Sequence, residues 1–175
     1  DFLSYCNRNV FLGIVVVYTL LTWNGITGLL AWPENLSYMI EQAKTFLRKL
    51  HSDFPNAKVK ICGIQIPSIN GGTGVSYGAN MSYSNWYGLV RTVMGMNLAY
   101  QDLANSEEFS TYVEFINISA QFDTEYNMPS RAVPVNSRNS SKTEITGTNG
   151  VHPDYKGYMQ IADAIYRNAI ARIAT

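Results

Sequence analysis

Residues 14–21 read Ile-Val-Val-Val-Tyr-Thr-Leu-Leu, an unbroken apolar run opened by Gly13 and closed by the polar turn Thr22-Trp23-Asn24-Gly25. A strand with one wet face alternates, whereas a continuous run needs cover on both faces, as in a parallel sheet with helices above and below. The run is far short of the ~20 residues that cross a bilayer, and Tyr18 and Thr19 interrupt it. It therefore predicts a core strand of an α/β domain and no membrane span. The turn at its carboxyl end lies where open α/β sheets bind ligands.

The rest of the chain repeats the alternation. A helix is expected from Pro33, with Leu36, Met39, Ile40, Ala43, Phe46, Leu47 and Leu50 on one buried face. His51 falls in its last turn beside Arg48 and Lys49 and reads as a surface residue. Lys58 to Ile66 reads as a second strand, followed by a glycine-rich loop over Ser68 to Asn80. A helix from about Tyr83 to Ala104 offers Trp86, Leu89, Val90, Val93, Met94, Leu98 and Leu103 to the core, with Gly88 and Gly95 marking close packing or weak points. Thr111 to Ile118 is the third strand. Ser119 to Gly150 lacks periodicity and is expected to be a functional loop or to hide a hairpin, with Arg131 to Asn136 as one arm. The last helix, Asp154 to Ile173, would bury Tyr158, Ile161, Ala162, Ile165, Ala169 and Ile173. With no repeat or linker, residues 1–175 read as one α/β domain with a parallel sheet.

Composition removes several function classes. Thirteen basic and thirteen acidic side chains cancel, so the chain carries no electrostatic footprint for nucleic acid or an anionic membrane. Cys6 and Cys62 have neither a metal-ligand spacing nor a disulfide framework, and both read as small buried hydrophobes. No metal or cofactor is expected.

Chemistry concentrates near the carboxyl end. In Thr148-Asn-Gly-Val-His152-Pro-Asp, a histidine sits in a short loop, Pro153 follows at a natural first helical position, and an amphipathic helix begins. An imidazole so placed can be held as a general base; the ordinary alternative is a loop histidine that only binds backbone. Asn24 and His152 both lie at strand-to-helix crossings, expected on one rim of the sheet.

That placement resembles the SGNH, or GDSL-type, serine hydrolases. In that family a Gly-x-Asn-Asp block supplies an oxyanion-hole Asn, and a near-C-terminal Asp-x-x-His block supplies the base. Thr22-Trp23-Asn24-Gly25 occupies the first block here, and Asn149-Gly150-Val151-His152-Pro153 with Gly157-Tyr158 the second. The order of elements fits over essentially the whole chain. The resemblance implies a three-layer α/β/α sandwich with a flavodoxin-like parallel sheet, and an ester hydrolase acting on an acyl or acetyl group of a carbohydrate or lipid. His152 would be the general base and Asn24 an oxyanion donor, an interaction worth about 3 kcal/mol of barrier. An extracellular or periplasmic setting is favoured.

The chain departs from the family pattern in named places. Thr22 stands for a glycine and Gly25 for an aspartate, and Asn149 stands where the family has the Asp that orients the histidine. In serine proteases such an Asp-to-Asn change costs about 10⁴ in rate. The Gly-Asp-Ser nucleophile block and the block with the oxyanion glycine are both missing, and Ser4 lies too near the first strand to supply the nucleophile. The expectation is a C-terminal portion of a hydrolase domain whose N-terminal strands are not in this chain. With a 2-1-3-4-5 strand order, the strand at 13–21 would then need a partner, either the missing segment or a second copy.

Two other readings compete. Gly74-Val75-Ser76-Tyr77-Gly78 matches the G-x-S-x-G elbow of α/β-hydrolases, but it stands well past the end of its strand. The other is a catalytically inactive carbohydrate-binding or structural domain on the same scaffold. In either class Trp23, Trp32, Tyr77, Tyr83, Trp86 and Tyr126 could stack on sugar rings, against the stronger ordinary reading that Trp86 and Tyr83 lie at helical core spacing and that single aromatics in loops are common.

Overall fold

A computed structural model describes residues 14–17, 34–71 and 82–171. In chain order they form strand β1 (Ile14–Val17), helix α1 (Glu34–Asp53), strand β2 (Lys58–Cys62) and helix α2 (Tyr83–Asn105). Strand β3 (Val113–Ile116), a 3-10 turn (Ser119–Gln121), strands β4 (Ser130–Asn136) and β5 (Asn139–Gly147), and helix α3 (Tyr155–Ile165) follow. The helix continues as a π-helical turn, Tyr166–Ile170, closed by Ala171 N–H donating to Tyr166 O at 2.8 Å. The protein is α/β, as the run at 14–21 predicts. Residues 18–21 of that run lie outside the described residues.

The contacts group the chain into two compact units: residues 1–64, 95–118 and 165–175, and residues 65–94 and 119–164. The first holds a three-stranded sheet in the order β1-β2-β3, parallel throughout. Among the described residues β1 is a terminal strand. The β2–β3 ladder runs past the strand ends, with Val59 N–H donating to Tyr112 O at 2.7 Å and Gly63 N–H to Ile116 O at 2.8 Å.

Burial in this unit follows the sheet. Val59 and Ile61 of β2 are buried on one face, and Lys60, at 6% exposure, and Cys62 are buried on the other. Lys60 faces Glu114 across the register and its ammonium pairs with that carboxylate, which is how a charge can stay in a covered sheet. On α1, Ala43 and Leu47 are buried, while Phe46, expected inside, is exposed. His51, expected at the surface, is half-buried. Its ring stacks on Tyr112 with centroids 4.0 Å apart and planes 15° from parallel, so an aromatic partner outweighs the pull of solvent on a polar ring. Arg48 instead faces solvent, pairing with Glu108 at 2.6 Å.

The carboxyl-terminal half of α2 belongs to the same unit and buries Met96, Asn97, Tyr100, Leu103 and Ala104. Met94 and Leu98, both expected in the core, are exposed. The buried residues Met96, Tyr100, Leu103 and Ala104 recur at three-and-four spacing, a face that leaves out Met94 and Leu98 and includes Asn97. This residue is 7% exposed; its Oδ1 accepts Ile64 N–H at 2.8 Å and its Nδ2 donates to Ile64 O at 2.9 Å, so a side-chain amide continues the strand beyond β2. Gly63 makes the approach possible, since a Cβ there would lie 2.9 Å from the Phe115 ring and 3.1 Å from Asn97 Oδ1.

The second unit carries the hairpin expected within Ser119 to Gly150. Strands β4 and β5 pair antiparallel around the turn at Ser137 and Arg138, with a register shift between Pro134 and Asn136 where proline can give no ladder bond. Its side chains are exposed along nearly the whole length. Helix α3 buries Gly157, Ile161 and Ala164, whereas Tyr158 and Ala162, expected inside, face solvent. Among the described residues no helix is long and apolar enough to cross a membrane.

Candidate functional site

His152 lies in the seven-residue connection, 148–154, between the end of β5 and α3, with its side chain exposed. The loop beneath it is tied down on several sides. Asn149 Oδ1 accepts the backbone N–H groups of Val151 and His152, each at 2.9 Å. Gln65, at 2% exposure, donates from Nε2 to Val151 O at 2.9 Å, and Ser68 N–H donates to Gly150 O at 2.9 Å. The segment that leaves β2 therefore runs as a brace along residues 150 and 151.

Two glycines let the backbones meet. Gly71 has φ +90°, and a Cβ there would stand 2.7 Å from Asn149 N. A Cβ at Gly147 would stand 2.7 Å from Asn70 C.

The helix that follows fixes the other end of the loop. Pro153 does not occupy its first turn. Asp154 is the N-cap instead: its Oδ1 accepts Gly157 N–H at 2.9 Å, and its own N–H donates to Asn127 O at 3.0 Å. Pro153 is buried just before the cap. Gly157 is required at its place, because a Cβ would lie 2.5 Å from Asn127 O and 2.6 Å from Pro153 Cβ. Gln160 Oε1 holds the neighbouring strand of chain by accepting Asp123 N–H at 2.9 Å and Asn127 Nδ2 at 2.8 Å.

This arrangement gives a histidine on a rigid base, which is what a proton-transfer residue needs before anything else. Asn149, placed by sequence where an orienting carboxylate would stand, orients the backbone on both sides of residue 151. Asn24 lies outside the described residues, as do Ser76, Tyr77, Trp23 and Trp32. Tyr126 is exposed, and Asp123 Oδ1 accepts its N–H at 3.0 Å. Among the described residues no cluster of His, Cys, Asp and Glu could hold a metal ion.

The bracing roles of Gln65, Ser68 and Gly71 and the capping role of Asp154 escaped the sequence reading. Asp154 was detectable as an acidic cap ahead of an apolar periodic run. Gln65 left a fainter signal, a lone amide inside Ile64-Gln65-Ile66-Pro67. Against protein-family models, curated proteins and solved structures, the chain finds no match.

Proposed function

We propose that this chain is the C-terminal part of a serine-type ester hydrolase of the SGNH kind, acting on an acyl or acetyl ester of a carbohydrate or lipid. The reading rests above all on the braced loop, which immobilises the backbone of residues 149–152 and leaves the His152 side chain exposed. The sheet order β1-β2-β3 agrees with the last three strands of a 2-1-3-4-5 sandwich, whose earlier strands would extend the sheet beyond β1.

In this reading a serine from outside these residues attacks the ester carbonyl while His152 takes its hydroxyl proton. The oxyanion that forms is held partly by the Asn24 amide. The imidazolium then returns the proton to the leaving alkoxide, and water repeats the cycle on the acyl-enzyme. No metal or cofactor enters this scheme. Asn149 supplies position and no charge, so the imidazolium would rely on another acceptor or on a dyad.

A fluorophosphonate probe on the full-length protein tests the reading. Labelling that disappears in a folded His152→Ala variant supports it. A folded wild-type protein that does not label removes it, leaving an inactive binding domain on the same scaffold.

A further inference from the structure

Strand β5 presents a bare edge. Among the described residues its sheet contains only β4 and β5, and every residue of β5 from Asn139 to Ile145 is exposed, Ile145 to 72%. A two-stranded ribbon of this kind is marginal in water, and its outer N–H and C=O groups are a template for a further strand. The two edges differ. On β4, Pro134 has no N–H and stands beside the register shift between Pro134 and Asn136, a kink that spoils an edge for pairing. On β5 there is neither proline nor glycine before Gly147, where Asn70 and Gly71 pack close. The stretch open to a partner is therefore Asn139 to Ile145.

Its sequence says what fits. Along Ser141-Lys142-Thr143-Glu144-Ile145, side chains alternate, so Lys142 and Glu144 share one face of the ribbon and Ser141, Thr143 and Ile145 the other. Glu144 has Val133 opposite it on β4, and neither Lys142 nor Glu144 makes an ion pair among the described residues. Lys-Thr-Glu is its own complement when two strands run antiparallel. With a two-fold axis through Thr143, Lys142 of each copy stands opposite Glu144 of the other. Centring the axis on Lys142 or on Glu144 instead puts like charges face to face, so the charges select one register. The same axis sets the two Thr143 side chains together and places Ile145 opposite Ser141, and diagonal to Thr143, of the second copy.

We propose that the β5 edge is a docking surface for a second copy of this chain, the two hairpins joining antiparallel about Thr143 into one four-stranded sheet. The contact is isologous and closes with two copies, because each β5 edge is consumed and each β4 edge is blunted by Pro134. It is independent of the hydrolase reading.

Sedimentation equilibrium of the full-length protein tests it, at loading concentrations up to about 0.5 mM because so short an edge makes a weak contact. A reversible dimer is expected. Lys142→Glu and Glu144→Lys each turn attractive pairs into repulsive ones, and each should raise the dimer dissociation constant about tenfold. The exchanged variant Lys142→Glu/Glu144→Lys should return to within about threefold of the parent, and an equimolar mixture of the two single variants should dimerise more tightly than either alone. Both positions are exposed, so circular dichroism melting of the variants should match the parent. A protein that stays monomeric at every concentration, a dimer that neither single variant weakens, or an exchanged variant as weak as the single ones overturns the proposal. So does a monomer that captures a strand of some other protein on this edge.

Discussion

The side-chain oxygen of Asn149 accepts the backbone N–H of His152 at 2.9 Å, and it accepts the Val151 N–H at the same distance. Both donors are backbone groups, so any oxygen of similar reach serves. Asn149→Ala should lower stability by about 1–2 kcal/mol, whereas Asn149→Asp should stay within about 0.5 kcal/mol of the parent. Urea denaturation midpoints at constant slope measure both. Equal loss in the two variants would show that the amide nitrogen carries the effect.

Glycine at position 71 is held to a left-handed backbone against Asn149, while Gly88 meets nothing within 4 Å. Gly71→Ala should cost about 1–3 kcal/mol and move the His152 loop. Gly88→Ala, on an exposed helical position, should gain up to about 1 kcal/mol. Thermal unfolding of the two variants reads opposite signs if the geometry is right.

Asn97 makes two bonds to the backbone of Ile64 from a buried position in α2. Asn97→Ala should cost about 2–4 kcal/mol, adding a small cavity to the lost bonds, and Asn97→Leu should not recover it. Denaturant midpoints check this. A leucine as stable as the asparagine would mean that shape, and not hydrogen bonding, matters here.

These residues also show what could be read from the chain before its structure. The β-branched run at 14–17 forms a strand, and Arg131 to Asn136 becomes a hairpin arm, as the long aperiodic stretch from Ser119 to Gly150 suggests. The phase of α2 was not legible. Met94 and Leu98 were expected inward, yet the face that packs carries Met96, Tyr100 and Leu103 together with Asn97, a residue that hydrophobic periodicity counts as polar. Lys60 was hidden in the same way, since its cover depends on Glu114, more than fifty residues later in the chain. At the candidate site the loop carrying His152 was visible. Its bracing by Gln65, Ser68 and Gly71 was not, because those contacts join segments far apart in sequence.

Burial pushes the Cys62 thiol up to about 11 and the Tyr100 hydroxyl up to about 12. Both groups are neutral when protonated, and the unfolded chain ionises them first as pH rises. Their contribution is intact below the unfolded values of about 8.5 and 10, and is lost as pH climbs toward the folded ones. Stability should therefore fall on the alkaline side from about pH 9, and Cys62→Ala should flatten the early part of that fall. In a Cys6→Ser background, Cys62 should react with iodoacetamide slowly when folded and quickly in denaturant. A thiol alkylated at full speed in the folded protein contradicts its burial.

The proposed chemistry needs two side chains at one carbonyl, the His152 imidazole and the Asn24 amide. A crystal structure of the full-length protein carrying a fluorophosphonate adduct measures this directly. The account predicts a phosphonylated serine with His152 beside its Oγ and the Asn24 amide donating to the phosphonyl oxygen. An adduct that neither residue touches, or one formed on Ser76, would contradict it.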